Sequence, residues 1–174
     1  MARLIISTSI ALLLFSSVSF AADDLKTDLP KKQVESETKK ADIEFLHNHP
    51  TLVKMWEHSN KLRRDYGLAE QKISPALTKA AQDHAWYMAK TGEFSHYTNL
   101  GPSGRVRKHK YAGNFNGEIL IYGSKTIKSA FNGWLNSPGH RVILLGGGKE
   151  VGYGYAISKN GTPYWVGVYG NPRK

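Results

Sequence analysis

The sequence predicts an α+β domain, a small antiparallel sheet covered by helices. Three observations predict it. Amphipathic helical runs fill the first two thirds of the chain. An apolar strand-like stretch, "NGEILIYG", interrupts them. The C-terminal "EVGYGYAISKNGTPYWVGVYG" then switches to aromatic and β-branched residues around Asn160-Gly161, a strong hairpin turn signal.

The elements follow in order. "TLVKMWEHSNKLRRDYG" places Leu52, Met55, Trp56, Ser59, Leu62 and Tyr66 near one helical stripe, with Thr51 as its expected cap and Gly67 as its stop. In "SPALTKAAQDHAWYMAKTG", Ser74 caps, and Pro75 sits at the first helical position, where its missing N–H costs nothing. Leu77, Ala80, Ala81, His84, Ala85 and Met88 share its buried face, and Gly92 ends it. On that face His84 reads as a satisfied core histidine. "SKTIKSAFNGWLNS" is the third helix, with Ser124 as cap and Ile127, Ala130, Phe131, Trp134 and Leu135 on one side. Trp56 and Trp134 are expected core anchors. Gly152 and Gly154 alternate along one strand face, against which something must pack closely.

The chain's 174 residues suffice for one domain with a real core. Its start, "MARLIISTSIALLLFSSVSFAADD", has an arginine, a short apolar run and a small-x-small series at Ser19-Phe20-Ala21. That pattern predicts a secretory signal over residues 1–21 and an exported product, periplasmic or secreted. The run is shorter than the roughly 20 apolar residues of a membrane-spanning helix. Residues 22–50 are charged and poor in large apolar side chains, as in a flexible tether that forms a helix only transiently. Residues 51–174 form the expected domain. The net charge is +10, and 18 Lys and Arg against seven acids from Thr51 onward concentrate it there. Such a field suits anionic envelope polymers, acidic lipid surfaces or nucleic acid, of which the last has no motif in the sequence, or simply keeps the domain soluble. The chain has no cysteine, which excludes disulfides, thiolate zinc sites and a cysteine nucleophile.

Polar groups with chemical potential sit at three element edges: His96 in "GEFSHYTN", Glu118 in "NGEILIYG", and His140 in "WLNSPGHR". Two histidines and a carboxylate can bind a divalent metal or transfer protons. The two steps of 22 residues between them carry no local motif, so structural hydrogen bonding is the alternative. Ser137, near His140, reads better as the cap of a short helix beginning at Pro138 than as a nucleophile. "RVRKHK", Arg105 to Lys110, reads as a solvated loop or an anion-binding patch, and Gly146 to Gly148 as a flexible turn.

The ordered set "FSH", "GE" before "ILIYG", "WLNSPGHR", "EVGYGYA" and "YWVGVYG" resembles the CAP superfamily of cysteine-rich secretory, antigen 5 and pathogenesis-related proteins, in its cysteine-free bacterial form. The likeness runs from about Leu52 to Gly170 and includes Asn60 and Arg63 in "SNKLR". It implies a three-layer α-β-α sandwich with an open cleft lined by His96, Glu118 and His140. The family's second glutamate falls on Ser137, and two family asparagines fall on Ile119 and Ile143, which removes side-chain hydrogen bonds near the cleft wall. The implied role is ligand or partner binding at or outside the cell envelope. A metal-assisted hydrolase, with His96 and His140 on zinc and Glu118 as general base, is the enzymatic alternative. A lipid, cell-wall or other anionic partner held by charge is the third reading.

Overall fold

The computed structural model describes residues 31–146 and 148–173. Helices α1 (Lys31–His47) and α2 (Pro50–Asp65) lead into the short strand β1 (Lys72–Ile73), followed by α3 (Pro75–Thr91) and α4 (Gly101–Lys108). Strand β2 (Asn114–Tyr122), helices α5 (Ile127–Asn136) and α6 (Pro138–Gly146), and the hairpin strands β3 (Glu150–Ile157) and β4 (Pro163–Asn171) complete the order. The sheet runs β1-β3-β4-β2; β1 is parallel to β3, and the other pairings are antiparallel.

Side chains alternate across the sheet, so each face builds its own core. Ile119, Val151, Tyr153, Trp165 and Tyr169 face α2, α5 and α6, meeting Leu52, Met55, Phe131, Trp134 and Leu144. Leu120, Ala156, Val166 and Val168 face α3 and α4, meeting Leu77, Ala81, Met88 and Val106. This is the three-layer α-β-α sandwich. The glycine expectation holds: a Cβ on Gly152 would strike the backbone of Leu77 and Thr78, and one on Gly154 that of Ala81. Helix α3 therefore rests directly on the β3 backbone.

Ser74, Pro75 and Gly92 delimit α3 as expected; the Ser74 hydroxyl accepts from Leu77 N–H, and Gly92 closes the helix at φ +79°. Two caps differ. Helix α2 starts at Pro50 after His49 instead of being capped by Thr51, because proline fits its first position. Helix α5 is capped by Thr126, not Ser124: Thr126 and Ser129 bond each other's backbone N–H reciprocally, while the Ser124 carbonyl accepts from the Trp165 indole. The segment read as a tether over residues 22–50 contains helix α1. Its residues 31–47 include neither glycine nor proline, and it is moored where Lys79 pairs with Asp42 at 2.7 Å and lies over the Phe45 ring. The expected signal, residues 1–21, lies outside the described residues, as do residues 22–30 and Gly147 of the glycine turn.

Asn60 and Arg63 fasten α2 to the rest of the fold. The Asn60 amide accepts from Gln71 N–H and donates to Gln71 C=O, both at 3.0 Å. Arg63 donates to Ala69 O at 2.7 Å and to Leu145 O at 2.8 Å, placing a cation on the terminal carbonyls of α6.

Candidate functional site

Glu118 lies on β2 opposite Val168, so its side chain shares the α3 and α4 face of the sheet. A bare carboxylate there would be costly to bury. Two groups satisfy it. The His96 Nδ1–H donates to Oε1 at 2.9 Å, and the Arg105 guanidinium donates to Oε2 at 2.6 Å. A carboxylate can only accept, so the bond fixes the proton on His96 Nδ1 and leaves Nε2 as the outward edge of the ring. The His96 side chain is 39% exposed, while those of Glu118 and Arg105 are 2% and 1%.

Arg105 corrects the expectation of a solvated loop over Arg105–Lys110. The stretch opens as helix α4, and Arg105 and Val106 point inward. The Arg105 guanidinium also donates to the carbonyls of Thr98 at 2.6 Å, Asn99 at 3.0 Å and His96 at 3.3 Å. It therefore holds both the carboxylate and the loop that carries its histidine. A run of cations conceals such a residue. The only cue in the chain is Gly101-Pro102, a helix start that would have placed Arg105 and Val106 together one turn later.

His84, read as a core histidine, is fully buried and lies beneath the same loop. Its Nε2 is 3.0 Å from Ser95 O and donates to it. Burial lowers its pKa to about 4, with Glu118 opposing that shift and Arg105 adding to it. The sign follows from proton uptake. An unfolded His84 protonates below about 6.5, the folded one only near 4, so stability is lost as pH falls from 6.5 toward 4. His84→Gln, which keeps an N–H donor but does not titrate, is expected to flatten that acid limb in urea unfolding measured against pH. An unchanged limb would assign the sensitivity to another group.

His140 stands in the first turn of α6. That helix is laid on β2 through Ile143, whose side chain a Cβ on Gly117 would meet at 3.1 Å. The His140 pKa is lowered first by burial and second by the charge of His96. Among the described residues its ring has no hydrogen bond to His96 or Glu118. Ser137 ends α5, and its carbonyl accepts from Arg141 N–H at 2.8 Å, so it joins the two helices through its backbone. Ile119 points away from Glu118 into the opposite core, and Ile143 packs on Gly117.

Among the described residues no three His, Asp or Glu side chains stand together as metal ligands. The donor chemistry explains why. Both Glu118 oxygens are engaged, one by His96 and one by Arg105, so the carboxylate is not free as a direct third ligand. His96 Nε2 and the His140 ring are the donors left toward an ion, with Glu118 bonded behind His96.

The sandwich, with a buried acid orienting a surface histidine, defines a class of α-β-α domain rather than an activity. A family model described as CAP, the cysteine-rich secretory protein family, matches residues 56–169. The chain belongs to that family. An uncharacterized protein of Borreliella burgdorferi is 31% identical over 99 residues, 56% of this chain and 63% of that one, so the match spans less than two thirds of that relative. An outer surface protein from Borrelia burgdorferi superimposes with a TM-score of 0.62 at 23% identity, covering 77% of this chain and 95% of that one. An extracellular SCP-domain protein from Bacillus anthracis gives 0.58 at 21% identity, over 70% of this chain and 41% of that one. At these identities the two structures share the fold.

Proposed function

We propose that this CAP domain is exported and binds a ligand or partner at the cell envelope or outside the cell, through the face formed by His96, Glu118 and His140 with Ser137 at its lip. The observation that carries the reading is the fixed imidazole. Arg105 and Glu118, both buried, hold one edge of His96 and leave the other half-exposed. A preorganised hydrogen-bonding edge lowers the ordering cost of binding. The outer surface and extracellular descriptions of the two structural neighbours support the location. No helix among the described residues is long and apolar enough to cross a membrane.

The test follows the imidazole nitrogen resonances of the full chain during titration with soluble cell-wall fragments and, separately, with short-chain lipids. One class is expected to shift His96 Nε2, and His140→Ala is expected to weaken that shift. If neither class moves the His96 signals, and fractionation of the native host leaves the chain in the cytoplasm, the reading fails.

A further inference from the structure

The loop between α3 and α4 has an unusual tip. Asn99, Leu100 and Gly101 all have positive φ, at 49°, 71° and 65°. For glycine this is free; for leucine the left-handed region is a strained outlier. The strain does not serve to bury the side chain, since Leu100 is 66% exposed and Tyr97 beside it 88%. The backbone is held in this form by Arg105, which takes the carbonyls of Thr98 and Asn99. The fold thus pins a strained turn that points a leucine outward, with a tyrosine three residues away, about 10 Å at most along the chain.

Leu100 continues onto one face of α4. A Cβ on Gly104 would touch the Leu100 Cβ at 2.9 Å. On α4, Ser103 and Arg107 are exposed while Arg105 and Val106 are buried, and Leu100 just before the helix and Lys110 just after it, both at positive φ, are exposed as well. Lys108 is already paired with Asp83 at 2.7 Å. Arg107 and Lys110 are absent from the ion pairs formed among the described residues. The surface therefore runs from an apolar and aromatic tip to a cationic flank on a domain of strongly positive charge.

We propose that this surface, Tyr97 and Leu100 with Arg107 and Lys110, docks the domain on an anionic lipid bilayer. Leucine and tyrosine at the tip suit the boundary between headgroups and acyl chains. The cations behind them suit acidic headgroups, whose attraction fades within a Debye length. A soluble polyanion would use the cations and have no use for a strained, exposed leucine. The inference deepens the envelope reading by naming a partner, but it does not use the His96 edge.

The experiment is co-sedimentation of the full chain with vesicles of phosphatidylcholine alone and of phosphatidylcholine mixed with phosphatidylglycerol. Binding to the anionic vesicles alone, weakened by salt, is expected. Arg107→Gln with Lys110→Gln should reduce it roughly 30-fold. Leu100→Gly should reduce it about tenfold or more while its melting temperature holds or rises, because glycine relieves the strain. A merely structural leucine could not move binding and stability in opposite directions. The proposal is overturned by equal binding to both vesicles, by unchanged binding of Leu100→Gly, or by self-association of the chain that Leu100→Gly abolishes. His96→Ala separates the two readings. It should still sediment with vesicles after losing its imidazole-face ligand, and loss of vesicle binding would assign the lipid contact to that face instead.

Discussion

Arg105→Met is expected to destabilise the domain by about 3–5 kcal/mol, the range for breaking a buried ion pair from one side. The substitution leaves the Glu118 carboxylate buried with only His96 as partner, and frees the Thr98 and Asn99 carbonyls from their donor. Denaturant unfolding with an unchanged m-value would measure it. The double variant Arg105→Met with Glu118→Gln removes both charges and should recover a large part of the loss. A single-variant cost below about 1 kcal/mol would match an exposed pair instead, and would mean that His96 is loosely held.

Trp134→Ala carries a comparable expected loss, about 3–5 kcal/mol. The indole is fully buried and stands edge-on to Phe131 with ring centroids 5.1 Å apart. Domains of this size have about 5–15 kcal/mol in total, so the variant should approach the folding threshold and accumulate poorly. Thermal unfolding measures it. A shift of a degree or two would imply that the neighbouring layer collapses into the space without cost.

Much of the fold was legible because it was written in local patterns. The Ser74-Pro75 start and Gly92 stop of α3, the Asn160-Gly161 hairpin and the two alternating glycines each depend on the chemistry of one or two residues. The cap of α5 falls two residues later than expected because the hydroxyls of Ser124 and Thr126 are equally good acceptors for a helix N–H, and only the reciprocal bond with Ser129 decides between them. Helix α1 is expected from the sequence only as a transient helix, because a charged segment with few apolar residues gives no periodic stripe; its anchorage is a tertiary one, Lys79 with Asp42. At the candidate site the pattern favoured the visible members. His96 and Glu118 were found through the family resemblance and meet at 2.9 Å. Arg105 was not found, since its burial depends on a carboxylate 13 residues away in sequence, within a stretch whose other cations face solvent.

Arg105 also does what a disulfide commonly does in extracytoplasmic domains. Its guanidinium joins the loop carbonyls of His96, Thr98 and Asn99 to Glu118 on the sheet, closing a loop of some twenty residues at one point. A disulfide needs an oxidant, and a reducing compartment can undo it. This cross-link needs neither an oxidant nor a folding isomerase, and the chain has no cysteine to mispair. The site can therefore assemble identically under reducing and oxidising conditions, and thiol reductants cannot open it.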